Sequence, residues 1–351
     1  MAFVVCRLHT LCLKKNIMNR THRNLTLDNI SGILILHMII VVHAAVICGC
    51  NKHMLWWTLM KILCFFLPWF FYKSGMMFRL TETKTLAKKI WKRMGIPFVF
   101  FSFLGWFIVE FVGKYIVLHS ISLGELSVYT FKTFIQMGFF PGNAALWFLM
   151  SLIIVRLVYN FARIHGASNL LLLTFSLILF GLAEIFIEKF VVILPILGGF
   201  IFYCLGSMQA RKLKVSKHSI FIIFLLCALF VLVTPNHSYL DFHVGKVIGD
   251  CSWLLPFFFV YSLLMILFVN WAGEKWMNHR IVFITFVGQE SMFFFIVHYF
   301  LLLSTVPLLK SLFHSLTPIS LLALTILCLV GEIAVLYAVF NTRHLRFLIG
   351  K

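Results

Sequence analysis

Residues 25–50 read LTLDNISGILILHMIIVVHAAVICGC. This run decides the fold. Asp28 and Ser31 stand at its entrance, and from Ile30 to Cys48 the only side chains that ionise near neutral pH are His37 and His43. A helix rises 1.5 Å per residue, so His43 falls about 18 Å beyond Ser31, deep in a hydrocarbon layer about 30 Å thick. Ionisable groups at that depth are costly and mark functional sites. His43 is therefore the first candidate for a catalytic base. The plainer reading of such a histidine is a hydrogen bond across the helix bundle. His37 lies six residues away, about 120° round a regular helix, and reads as a packing residue.

The rest of the chain repeats the character of that run. Of 351 residues 62% are hydrophobic and 12% charged, with mean hydropathy +1.01. Soluble domains carry about 25% charged residues, so this chain is an all-α polytopic membrane protein. Ten apolar stretches are long enough to span: 30–49, 55–78, 96–118, 144–164, 169–187, 191–208, 218–234, 252–270, 283–305 and 317–340. The net charge of +19 would suggest a nucleic-acid partner on a soluble protein. Here 22 of the 30 basic residues fall in alternate segments and six in the others. That asymmetry is the positive-inside pattern. It places both termini in the cytoplasm of a multi-pass cell-membrane protein and leaves nothing for nucleic acid to explain. Nine scattered cysteines form neither a disulfide framework nor a metal site. The domain reading is a cytoplasmic tail at 1–24, whose first fifteen or so residues look like an upstream-start artefact, one membrane domain at 25–341, and a cytoplasmic tail at 342–351.

Two outer segments exceed what a connection needs. Residues 119–143 predict an interfacial amphipathic helix that ends at the Pro141-Gly142 turn. Residues 235–250 carry His237, Asp241, His243 and Asp250; they read as a solvated loop, or as the lining of a substrate entrance. Mid-span Glu332 needs an interior partner, for which Lys61 and Lys73 are the candidates.

Six stretches together resemble the acyltransferase-3 family of integral membrane O-acyltransferases. They are residues 25–43, CFFLPWFFYKSGMMF at 64–78, KKIWKRMGIPFVFFS at 88–102, NAALWFLMSLIIVRLVYN at 143–160, FVGQESMFFFIVHYFLL at 286–302 and RFLIGK at 346–351. The resemblance implies about ten helices and transfer of an acetyl or other acyl group from a coenzyme A thioester to a hydroxyl of a cell-envelope glycan. His43 falls at the family's catalytic histidine. The family usually has Arg or Lys eleven positions earlier; this chain has Gly32 there and Ser31 beside it. Cations elsewhere must then meet the donor's phosphates. Arg93, four before Pro97, matches the family's arginine, and Lys89 and Lys92 share its loop. A guanidinium grips phosphate bidentately.

The remaining roles are assigned as follows. A neutral imidazole can take the proton of a hydroxyl whose own pKa is too high for attack on a thioester. Glu290 is the residue to orient or charge-balance His43. Ser291 and His298 share a helix face and would shape the acceptor cavity. Trp147 stacks on a sugar ring or on adenine, or sits as an interface-belt tryptophan. Two other classes compete: a transporter or exporter of a lipid-linked glycan, which predicts inverted repeats that the chain does not display, and a non-catalytic partner that keeps the fold.

Overall fold

The computed structural model describes residues 24–186, 190–209, 216–249 and 252–351. The N-terminal tail expectation therefore lies almost wholly outside the described residues. Twelve helices organise the rest: α1 Leu25–Ile47, α2 Met54–Met76, α3 Thr83–Val117, α4 Leu123–Met137, α5 Ala144–Ile164, α6 Asn169–Phe186, α7 Ile193–Gln209, α8 Lys217–Val233, α9 Leu255–Trp276, α10 Val282–Gln289, α11 Ser291–Leu312 and α12 Pro318–Phe340. Eight of them are long and apolar enough to cross a membrane, and α7 and α8 are shorter apolar helices. A two-stranded hairpin, β1 Tyr239–Asp241 with β2 Lys246–Ile248, follows α8. The protein is an all-α polytopic membrane protein, as its composition predicts.

Helix α1 is the hub. The Asn24 side chain caps it by accepting from the Leu27 amide, and Asp28 complements the positive end of the dipole in the first turn. Buried Asn29 makes three side-chain hydrogen bonds on the α9–α10 side. Its amide donates to the Met277 and His279 carbonyls at 2.8 Å each, and its oxygen accepts from Thr285 at 2.5 Å. A buried polar group bonded in this way sets register as well as holding the pair together.

Close crossings place the helices around it. A Cβ built on Gly288 would stand 1.7 Å from the Asp28 carbonyl oxygen, and one on Gly32 would stand 2.1 Å from that of Ile284. Helices α1 and α10 thus touch backbone to backbone, which only small residues permit. Gly75 and Gly206 make the same reciprocal crossing between α2 and α7. Gly288→Val is expected to destabilise the protein by about 1–3 kcal/mol through overpacking. A lower thermal midpoint and reduced folded yield in detergent would register it, and an unchanged midpoint would disprove the contact.

Prolines shape the helices that carry the site. Pro68 lacks an N–H and crowds the carbonyl four residues back; accordingly α2 breaks between Ile62 and Phe66. Pro97 would crowd the Arg93 carbonyl, and α3 answers by widening to π-helical turns over Trp91–Gly95. The basic stretch read as a loop before the third span is therefore helical from Thr83 onward, continuous with that span. A second widening, Met38–Ala44 in α1, contains His43. Such bulges change the phase of all that follows, so angles counted at 3.6 residues per turn do not carry across them.

Three expectations need correction. The apolar stretch at 283–305 is broken at Glu290, which separates α10 from α11. Glu332 meets neither lysine: its carboxylate accepts from Thr305 at 2.7 Å, while Lys61 caps the end of α8 by donating to the Val231 and Thr234 carbonyls at 3.2 and 2.8 Å. Within 119–143 an amphipathic helix forms over Leu123–Met137, ending at Gly138 and not at the expected Pro141-Gly142 turn. Ser122 and Glu125 build a reciprocal capping box, and Gly138 ends it in the left-handed conformation.

Candidate active site

His43 projects from the widened turn of α1 into a cavity of about 250 Å³. Its Nδ1 lies 2.8 Å from Nε2 of His298 on α11, with the two rings stacked at 4.9 Å. His298 is fully buried, and its other nitrogen, Nδ1, approaches the Phe294 and Phe295 carbonyls at 3.1 and 2.9 Å. Carbonyl oxygens only accept, so Nδ1 of His298 carries the proton and its Nε2 is an acceptor. His43 must then donate from Nδ1. That leaves Nε2 of His43, the nitrogen not facing His298, as a bare lone pair. Tyr299 packs edge-on against the His43 ring at 4.9 Å. A relay anchored in the main chain thus sets both the tautomer and the orientation of a candidate base.

A second cavity, of about 590 Å³, lies against the first. Met38, Leu67, Phe148 and Phe295 line both and form the septum between them. The smaller cavity is walled by the hairpin and by the start of α5. Lys73, Arg93, Arg156, Arg346 and Lys351 line the larger one, with Glu290 as their acidic counterpart. Arg93 ties it to the basic 79–93 segment.

Lys73 resolves the departure noted in the first span. Its Nζ stands 2.5 Å from Ser31 Oγ, and it also lies over the Trp69 ring at 5.3 Å. A cation from α2 therefore reaches the slot that α1 leaves to a serine. Arg93 reaches the same cavity because the Pro97-induced widening turns it there.

The other predicted residues divide. Lys89 and Lys92 are exposed and line neither cavity. Glu290 is not the partner of His43; its carboxylate pairs with Lys351 at 2.6 Å in the larger cavity. Ser291 lines that same cavity, and His298 lines neither, because it stands behind His43 as its orienting group. Trp147 is in the smaller cavity, but His243 stacks on it at 4.7 Å and 21° and occupies one of its faces. His37 is buried edge-on to Phe66 and away from both cavities.

Several contributors escaped sequence reasoning. The segment 342–351 is no loose tail. It forms a short helical turn at Arg346–Ile349, and a Cβ on Gly350 would meet the Arg93 carbonyl oxygen at 2.3 Å, so the segment closes the larger cavity. Of the two readings of residues 235–250, the cavity lining is the one met, since Tyr239, Asp241 and His243 line the smaller cavity. The available signals were a lysine embedded in an apolar span and a run of polar side chains in an outer loop.

The helical bundle thus holds a histidine in one cavity beside a second, cationic one. The acyltransferase-3 family model, described as an acyltransferase domain, matches residues 24–337, and the chain belongs to that family. Comparisons with curated proteins and with solved structures return no match.

Proposed function

We propose that the protein moves an acetyl or other short acyl group from a coenzyme A thioester to a hydroxyl of a cell-envelope glycan, at the cytoplasmic membrane. The observation that carries this reading is the bare Nε2 of His43, set by His298, in a cavity that shares a septum with a cation-lined one. In this reading the donor's 3′-phosphate and pyrophosphate stay among Lys73, Arg93, Arg156 and Arg346, where charge-assisted hydrogen bonds are strong. The pantetheine arm passes the septum to bring the thioester to His43. The acceptor hydroxyl enters the smaller cavity and gives its proton to Nε2. Its oxygen attacks the thioester carbonyl, and the tetrahedral intermediate collapses with loss of the coenzyme A sulfur. The imidazolium returns the proton to that sulfur as the ester forms. Protonation of Nε2 is matched by the hydrogen bond that Nδ1 already makes, so the ring holds its orientation throughout.

Membranes containing the protein are expected to release free thiol from acetyl-CoA in proportion to added envelope polysaccharide. Mass spectrometry should then find the acyl ester on that polysaccharide only in cells that express the protein. Absence of acceptor-dependent thiol release with every short acyl-CoA tried would rule the reading out.

A further inference from the structure

The hairpin between α8 and α9 contributes more to the smaller cavity than a wall. Phe242 plugs it into the bundle: it is buried, packs against Phe71, Phe202 and Phe259, and sits over Gly198. The Asp241 carboxylate accepts from the His243 amide at 3.0 Å and from the Val244 amide at 3.5 Å, which sets the turn. His243 is thereby held flat on Trp147 with its ring in the cavity. Its Nε2 is buried without a partner among the described residues. In the neutral ring protonated on Nδ1, Nε2 is a second bare lone pair. Burial lowers the pKa of His243 against the raising effect of the Asp241 carboxylate, which keeps the ring neutral. Tyr239 lines the same cavity; burial first, and then Asp241, push its hydroxyl up to about 12, so it stays a phenol that can donate.

A buried acceptor with no donor is an unmet demand. This cavity has one in addition to His43. We infer that His243 is a substrate-recognition residue: its Nε2 accepts an O–H from a polyhydroxyl acceptor whose other hydroxyl reacts at His43, so the site selects substrates that present at least two hydroxyls. A monohydroxyl alcohol satisfies His43 and leaves His243 unpaired. A site built to bond a hydroxyl discriminates strongly against analogues that lack it. The inference rests on the acyl-transfer reading above and deepens it by assigning the residue that recognises the acceptor.

The test uses full-length protein in lipid nanodiscs, acetyl-CoA as donor, and two acceptor probes of equal ring size. Methyl hexopyranosides of the gluco, galacto and manno series are the polyhydroxyl probe, and cyclohexanol is the monohydroxyl one. Wild-type protein should esterify at least one glycoside about tenfold or more faster than cyclohexanol. His243→Phe keeps the stack on Trp147 and removes the acceptor atom. It should raise the glycoside KM about tenfold, the effect of one hydrogen bond, and so narrow the preference for glycoside over cyclohexanol. His243→Gln, which can return an acceptor oxygen, should recover part of the loss. Equal rates on both probe classes, an unaltered glycoside KM in His243→Phe, or no ester on any glycoside while thiol release still depends on His43 would each overturn this inference alone. Thiol release that does not depend on His43 would overturn the acyl-transfer reading beneath it.

Discussion

His43→Ala is expected to lower the rate of acyl transfer by about 10²–10⁴-fold, the range that positioned acid–base groups supply. The donor should still bind. His43 lines the smaller cavity, whereas the cations that would meet phosphate line the larger one. The signature is therefore a fall in kcat with the KM for acetyl-CoA held, as when an interaction made only in the transition state is removed. His298 gives the contrasting case. It touches no cavity and acts through the 2.8 Å contact to His43. His298→Phe leaves the base in place with its tautomer unset, so the loss should be smaller than for His43→Ala. His298→Gln, whose amide oxygen can accept from Nδ1 of His43, should do better than phenylalanine. Transfer at the wild-type level in His43→Ala would disprove the assigned chemistry, and equal rates in the glutamine and phenylalanine variants would disprove the relay.

Lys73→Met should raise the KM for the acyl-CoA donor by about 10–100-fold with kcat little altered, the effect of one or two charged hydrogen bonds. The reason lies in an exchange between helices. Where the family resemblance leads one to look for a cation in the first span, Ser31 is present, and Lys73 from α2 delivers its ammonium to Ser31 at 2.5 Å. Methionine keeps the length and the apolar stem but not the charge. Lys73→Arg should stay near wild type. Comparing coenzyme A thioesters with their 3′-dephospho forms would show which phosphate the lysine meets: if it is the 3′ group, the variant and the missing phosphate should not be additive. An unchanged donor KM in Lys73→Met would remove the residue from the binding site.

The comparison of sequence with structure turns on a few residues. The break at Glu290 was hidden because both flanks are apolar and nothing marks a span interrupted by one carboxylate. The assignment of Glu290 to His43 failed because the carboxylate finds its cation in Lys351, at the far end of the chain. Helix phase counted from Ser31 or His37 to His43 also does not hold, since the widened turn Met38–Ala44 rotates His43 relative to any such count. Arg93 lines the larger cavity, and its place there depends on the widened turns before Pro97. Lys351 was missed, and the loop of His243 was left between solvated loop and entrance lining, because chain segments outside the spans read as solvent-facing until a neighbour packs on them.

What the sequence by itself determined is the class: a polytopic membrane chain, the approximate spans, the family, and a histidine held at bilayer depth. Those follow from composition and local pattern, since a hydrocarbon phase constrains each segment separately. Tertiary structure alone decided the partners. His43 meets His298 across 255 residues, Lys73 meets Ser31 across 42, and the hairpin closes the smaller cavity. Lateral pairing depends on where backbones cross and where helices widen or break, and neighbouring residues along the chain do not encode those phases.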